Sequence, residues 1–249
     1  RGGWPGIIKL PFVQAIKYIS DYYNTLVNID IIDVDGVKRN ANRAKAILRT
    51  YARNISTLTD YQTMLRDLEN IGEGVDKTTL ASYLSAFEKL FIIENVDAWT
   101  PKLRSATRIR MSQKKQFVDP SIAALALGAS PNDLGVDMET FGFFFESMVV
   151  RDLRVYLDKL GGSIFHYRDK NNLEIDCILK LSDDRWAAVE VKVGGNQLDE
   201  AAANLIKLKE KIDTNHMKSP SFLMILYGGT TAYKRKDGVY VVPIGCLKD

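Results

Sequence analysis

The sequence is poor in the residues that bind zinc or form disulfides. Its 249 residues include only two cysteines and two histidines, and Cys177 and Cys246 lack the spacing of a metal or redox motif. Zinc chemistry and a histidine-based catalytic triad are therefore disfavoured. We expect both cysteines to be buried thiols in a protein of the reducing cytoplasm.

Two further absences limit the classes of function. No apolar run approaches the roughly 20 residues that span a bilayer, so we expect no membrane partner. The sequence contains no Gly-x-x-x-x-Gly-Lys-[Ser/Thr] loop, so ATP hydrolysis is not assigned to these residues. The formal charge of +3 is too small to indicate nucleic-acid binding without local clusters. Because the first residue is Arg1 and not Met, we expect a piece of a longer protein.

What is present is a pair of apolar segments that carry regularly placed charges. In residues 173–179 the odd-numbered positions are apolar, which places Asp176 on the opposite face of a strand. In residues 187–193 the valines share one face, so Glu190 and Lys192 point together. A short polar turn separates the two segments and predicts antiparallel pairing, which would bring two carboxylates and an ammonium together. The alternative is a hairpin in which one sheet face is exposed to solvent and the charged side chains only make that face soluble.

An Asp, a Glu-x-Lys on the next strand and a Glu on a preceding helix resemble the PD-(D/E)XK nuclease-like superfamily, here as Asp176, Glu190, Lys192 and Glu146. The resemblance implies a magnesium ion held by Asp176 and Glu190, and a Lys192 that orients or deprotonates the attacking water. Glu146, on a helix predicted over residues 139–160, would assist as metal ligand or base. A purely structural Glu146, bonded to backbone or to an arginine, is the alternative.

The first half of the chain has the apolar periodicity of helices. Segments beginning at Phe12 and Ala41 predict two amphipathic helices, and residues 61–68 and 80–91 predict a helix-turn-helix with Asp76 as N-cap of the second helix. A following hairpin would complete a winged helix. The exposed face of the second helix has no side chain suited to reading base edges, so we expect any DNA binding to be indifferent to sequence.

The hairpin that would form the wing is basic. Its charged residues could contact phosphates, or the hairpin could pack on its own domain, and the sequence leaves both open. Arg168, on the first predicted strand of the second half, could likewise contact phosphate or pair with Asp169 or Glu174. The nucleic-acid candidates are therefore Lys102, Arg104, Arg108, Arg110, Lys114, Lys115 and Arg168.

The remaining elements predict a mixed sheet. After the Glu-x-Lys strand, a crossover helix capped by Asn196 should lead to a central strand over residues 221–227, apolar on both faces. Residues 239–244 should form an edge strand, because Pro243 cannot donate a ladder hydrogen bond. Residues 128–135 are rich in turn formers and read as a linker. The fold class is thus α/β, with a helical winged-helix domain over residues 1–130 and a nuclease-like α/β domain over residues 136–249.

The order of elements resembles prokaryotic AAA-type ATPases that carry a C-terminal domain of unknown function. The resemblance rests on four features, in this order along the chain: Arg-Gly-Gly-x-Pro, a winged helix ending in Tyr-Leu-x-x-Phe-Glu-Lys-Leu-Phe-Ile-Ile, a basic hairpin and Phe-Val-Asp-Pro. The resemblance implies a preceding ATP-binding domain as partner, with ATP bound only there, and a nuclease-like domain that acts on or binds nucleic acid. A non-catalytic scaffold for homo-oligomerisation or protein partners is the alternative.

Overall fold

The computed structural model describes residues 2–101 and 112–247. The chain forms two compact units, Arg1–Asn95 with Lys114–Ser147 and Val96–Gln113 with Met148–Asp249. A helical first part and a six-stranded mixed sheet in the second confirm the predicted α/β class. None of the helices in the described ranges combines the length and the apolar character needed to cross a bilayer.

Helices make up the first unit. After a short 3-10 turn at Pro5–Ile7, helix α1 (Phe12–Thr25) continues through a π-helical turn, Leu26–Asp30, into Ile31–Asp33. The following helices are α2 (Ala41–Arg53), α3 (Tyr61–Asn70), α4 (Lys77–Lys89), α5 (Pro120–Leu127), α6 (Pro131–Val136) and α7 (Met138–Asp158), of which residues 138–147 belong to this unit and residues 148–158 to the second. Their apolar stripes meet in one core, from Leu26 to Phe144.

Side-chain caps fix where these helices begin. Asp60 accepts a hydrogen bond from the Thr63 N–H at the start of α3, and Asp76 accepts one from the Thr79 N–H at the start of α4, as the sequence predicted for Asp76. Ile93 forms an antiparallel bridge with Phe117 beyond the helix pair. Most of the predicted wing, which covers residues 102–115, lies outside the described part of the chain, so the winged helix stays a prediction.

The predicted linker contains a helix. Ser130 caps α6 by accepting from the Asp133 N–H, and Asp133 reciprocates by accepting from the Ser130 N–H. This capping box stabilises a helix start, which the count of turn-forming residues did not reveal. The reading of residues 128–135 as an irregular linker was therefore wrong, and the domain boundary between residues 130 and 136 stays a prediction.

The second unit is built on a sheet with the strand order β1-β2-β3-β4-β6-β5. Its strands are β1 (Ser163–Arg168), β2 (Glu174–Lys180), β3 (Trp186–Lys192), β4 (Leu223–Tyr227), β5 (Tyr233–Lys234) and β6 (Tyr240–Pro243). The first three are antiparallel, β3, β4 and β6 are parallel, and β5 returns antiparallel to β6. Helix α8 (Leu198–Lys211) is the crossover between β3 and β4.

Two details of the sheet correct the sequence predictions. Strand β6 is not an edge strand, because β5 pairs with it on the side away from β4. Pro243 is tolerated because it is the last residue of β6, where the ladder ends. Asn196 does not cap the crossover helix, since it lies inside a 3-10 turn, Gly195–Gln197, and α8 begins at Leu198. The central position of β4 is confirmed.

Candidate functional site

A β-bulge at Asp176 shapes the candidate site. Phe165 of β1 pairs with Ile178 of β2, but Tyr167, two residues on, pairs with Ile175, three residues back. Strand β2 therefore carries one extra residue opposite β1, which interrupts the alternation of its side chains. Ile175 and Ile178 accordingly pack in the same core, on the side of the sheet covered by α8. The predicted single apolar face of residues 173–179 was wrong for this reason.

The Asp176 carboxylate is held by the backbone of the neighbouring strand. Its Oδ2 accepts a hydrogen bond of 2.9 Å from the Val191 N–H. The β2–β3 ladder is antiparallel and pairs Cys177 with Val189. Asp176 precedes the first of these residues and Glu190 follows the second, so Asp176 stands opposite Glu190. The side chain of Asp176 thus reaches across to β3 where the regular ladder stops.

Glu190 is a buried carboxylate. Its side chain is 3 % exposed, and strand β3 is buried on both faces from Trp186 to Val191. The alternative of a hairpin whose charges lie in water is therefore wrong for Glu190, because α8 packs on the side of the sheet that carries it. Burial raises the pKa of Glu190 well above its ordinary value, the neighbouring charge of Asp176 raises it further, and Lys192 opposes both.

Lys192 joins the two carboxylates. Its Nζ lies 2.7 Å from Glu190 Oε2 and 3.5 Å from Asp176 Oδ2, and its side chain is about one-fifth exposed, at 21 %. Among the contacts that the structure describes, one ammonium therefore faces two carboxylates. The structure brings these three predicted residues together, while their metal-binding and catalytic roles stay predictions.

Glu146, the fourth predicted residue, has a different neighbour. Its Oε1 accepts a hydrogen bond of 2.8 Å from Lys114 Nζ, and the two side chains are 12 % and 2 % exposed. Both residues belong to the first unit. This contact with a lysine favours the structural reading of Glu146 that the sequence left open.

The structure describes only part of the predicted basic cluster. Lys102, Arg104, Arg108 and Arg110 lie outside the described residues. Lys114 is ion-paired with Glu146, and Lys115 is buried with its Nζ 5.7 Å from the centre of the Tyr61 ring. Burial lowers the pKa of Lys115 from its ordinary value. In this conformation neither ammonium is presented to a phosphate.

Arg168 makes a local contact. Its guanidinium donates a 3.2 Å hydrogen bond to Asn172 Oδ1, and its backbone pairs with Glu174 in the ladder. Asp169 forms an ion pair with Lys211 instead of with Arg168. Of the two acidic partners predicted for Arg168, only Glu174 lies beside it, and this contact is through the backbone. Contact between Arg168 and a phosphate stays a prediction.

The donor set of the candidate site fits magnesium in one respect. Mg²⁺ keeps several waters and is often held by one or two carboxylates, and Asp176 and Glu190 supply two. Within residues 2–101 and 112–247, no group of three or more metal-binding side chains is present. The described residues therefore do not provide a site in which protein side chains alone fill the coordination sphere of a cation. A magnesium ion bound by Asp176 and Glu190 would take its remaining ligands from water and substrate oxygens.

Sequence reasoning missed the backbone that supports Lys192. The Gly228 N–H donates to the Lys192 carbonyl, where β4 ends beside β3. A Cβ on Gly229 would lie 2.1 Å from Cε2 of Tyr227, so this position requires glycine. The Tyr227 hydroxyl then donates to the Thr231 carbonyl and closes the loop. The Gly-Gly pair after a buried strand was the available signal, while the role of the Val191 N–H left no trace in the sequence.

Comparison with known proteins identifies families of unknown function. No curated protein matches the sequence. Residues 141–247, which include the three residues of the candidate site, match the family model described as Domain of unknown function (DUF4143). Residues 1–133, more than half of the chain, match the model described as Domain of unknown function (DUF8612), and the protein therefore belongs to that family.

Proposed function

We propose that the second unit carries a magnesium-dependent site that hydrolyses phosphodiester bonds of nucleic acid. The single observation that supports this most is the cluster of Asp176, Glu190 and Lys192 at a β-bulge. Buried carboxylates with an unbalanced charge are uncommon in proteins, because each uncompensated charge costs free energy. They are typical of sites that bind a cation or perform proton transfer.

The residues would divide the reaction between them. Asp176 and Glu190 would hold the cation, which neutralises phosphate charge and lowers the pKa of its bound water. Lys192 would turn its ammonium from the Glu190 carboxylate toward the attacking water and orient it. Burial of Glu190 strengthens every one of these electrostatic interactions, because water screens them poorly inside the unit. Glu146 is not needed for these steps.

The wider proposal is that this chain is the C-terminal portion of an AAA-family ATPase. The order of motifs in the first half supports it, and the match of residues 141–247 to DUF4143 is consistent with an ATPase-associated protein. ATP would then bind in a preceding domain, which would be the partner of this chain. The proposed nucleic-acid contacts are indifferent to base sequence.

The test is cleavage of labelled single-stranded and double-stranded DNA and RNA with Mg²⁺ or Mn²⁺, with and without the ATPase portion. Asp176→Asn should abolish both cleavage and binding of Mn²⁺, because it removes one of two charged ligands. Glu174→Gln is the matched control, since it changes the charge of the same strand two residues away. Absence of divalent-dependent cleavage from every substrate would contradict an enzymatic role.

A second candidate function is a non-catalytic scaffold for protein partners or self-association. The observation that favours it is the position of Lys192, which already supplies a positive charge to both carboxylates. A scaffold needs no divalent cation. Mn²⁺ titration separates the candidates, because a scaffold would show no saturable binding that depends on Asp176.

A further inference from the structure

A cavity of about 400 Å³ opens in the second unit, apart from the proposed catalytic site. It lies at the turn end of the β2–β3 hairpin, where Lys180 pairs with Trp186. Asp176 is four residues back along β2, which corresponds to about 13 Å at roughly 3.3 Å per residue. The cavity has the size of pockets that take small organic ligands, and neither matching family description assigns it a ligand.

One side of the cavity is aromatic. Phe165 and Trp99 line it. The Trp99 ring is fixed from behind, because it packs against Trp186 at 5.0 Å and edge-on against Tyr167 at 5.9 Å between ring centres. A rigid aromatic wall of this kind suits a flat ring, which stacks on it at little entropic cost.

The wall also presents an unused hydrogen-bond donor. Trp186 donates its indole N–H to the Lys218 carbonyl at 2.7 Å. Trp99 also lines the cavity, and its indole N–H forms no hydrogen bond among the residues that the structure describes. An indole N–H of this kind can donate to an acceptor on a bound ligand.

The rim carries two ammonium groups. Lys180 and Lys218 line it, together with His216 and one acid, Asp184. Lys218 Nζ donates a hydrogen bond to the Asp183 carbonyl at 3.1 Å, and the Asp183 carboxylate already pairs with Arg185. Lys180 pairs with Asp184 at 3.2 Å, but the Asp184 side chain is 75 % exposed, so this pair is weak and easily opened. The Trp186 hydrogen bond holds the Lys218 backbone in place.

We propose that this cavity binds a nucleotide, with the base against Trp99 and Phe165 and the phosphate against Lys218 and Lys180. A planar ring that carries an anionic, acceptor-rich group is the ligand chemistry that satisfies an aromatic wall, a free N–H and two ammonium groups together. The nucleotide can be free or can be one unit of a single strand. The site does not depend on cleavage at Asp176.

The experiment is a titration of the full chain in EDTA, measured by calorimetry and by tryptophan fluorescence. The three ligands are thymidine monophosphate, an eight-residue oligothymidylate and inorganic phosphate. Thymidine monophosphate should bind and quench the fluorescence, and phosphate alone should bind at least about tenfold more weakly because it cannot stack. Tighter binding of the oligothymidylate identifies a strand as the source, and binding of the monophosphate alone identifies a free nucleotide.

Variants of the cavity residues test whether the nucleotide binds in this cavity. Lys218→Gln should weaken nucleotide binding about tenfold, the size of one lost charge-assisted hydrogen bond. Trp99→Phe keeps a ring and loses the N–H, so a threefold to tenfold loss, on the order of one neutral hydrogen bond, is expected. Lys236→Gln, on an exposed turn that does not line the cavity, and Asp176→Asn should leave nucleotide binding in EDTA unchanged. Thermal melts of each variant verify folding.

Four results would overturn the proposal. The first three are no binding of either thymidine ligand at millimolar concentration, phosphate binding as tight as the nucleotide, and equal losses for Lys218→Gln and Lys236→Gln. Since the titration needs no divalent cation, its failure is distinguishable from failure of the proposed hydrolysis. Loss of binding in Asp176→Asn would place the nucleotide at the carboxylate cluster and would also overturn it.

Discussion

Each unit of the protein contains a lysine that faces buried carboxylate, and the two arrangements differ in charge balance. In the first unit Lys114 and Glu146 form a pair of one cation and one anion, with side chains 2 % and 12 % exposed. In the second unit Lys192 faces both Asp176 and Glu190. Among the contacts described, the balanced pair matches one cation to one anion, whereas the unbalanced cluster sets two carboxylates around one lysine and can accept a second cation. Convergence of several acidic groups, more than burial itself, therefore indicates a candidate binding site.

The largest effect is expected from breaking the balanced pair. Lys114→Met should lower the free energy of unfolding by about 3 to 5 kcal/mol at pH 8, because it leaves the Glu146 carboxylate buried without its cation. Urea unfolding measures the change. Adding Glu146→Leu should recover most of the loss, since a buried pair is replaceable by apolar side chains. A single-variant loss below about 1 kcal/mol would show that the pair is not buried in solution.

Breaking the unbalanced cluster should have a smaller cost that a metal ion reverses. Lys192→Met should lower the free energy of unfolding by about 2 kcal/mol without metal, since both carboxylates lose their counter-charge. It should also tighten Mn²⁺ binding about tenfold, because the ammonium no longer competes for the space between the carboxylates. Calorimetric titration and urea unfolding in Mn²⁺ measure both effects. Weaker Mn²⁺ binding in the variant would reject this competition.

Removing the excess charge should stabilise the protein. The raised pKa of Glu190 means that its charged form costs folding free energy, so stability is lost as pH rises above the ordinary value of 4.5 and through the folded pKa. Glu190→Gln should therefore raise the free energy of unfolding by about 1 kcal/mol at pH 8, and the gain should vanish near pH 4. A destabilised variant at pH 8 would indicate that Lys192 outweighs burial.

The smallest effect is expected at an exposed pair. Arg53 bonds Asp67 at 2.7 Å, but its side chain is 68 % exposed. Arg53→Gln should change the free energy of unfolding by less than about 0.5 kcal/mol, and added salt should abolish even this. This variant serves as a reference, because the Arg53–Asp67, Lys114–Glu146 and Lys192–Glu190 pairs have distances of 2.7, 2.8 and 2.7 Å and differ in burial. A loss as large as that of Lys114→Met would remove burial as the explanation.

Much of the secondary structure was predictable from sequence because it depends on local pattern. The helix beginning at Phe12, the Asp76 cap and the antiparallel hairpin that carries Glu190 are all confirmed. Apolar periodicity and capping side chains act within a few residues, so the sequence contains the relevant information. The short helix Pro131–Val136 was missed because its turn-forming residues dominated the pattern, although its capping box was readable.

Local sequence pattern was sufficient to predict the α/β class and to place Asp176, Glu190 and Lys192 on paired strands. What surrounds these residues depends on the tertiary fold. Helix α8 packs over the face of β3 that carries Glu190, and the bulge turns the Asp176 carboxylate to the Val191 N–H. In the same way, folding buries Lys114 against Glu146 and sets Trp99 into a cavity. Burial and pairing depend on segments far apart in the chain, so no local pattern encodes them.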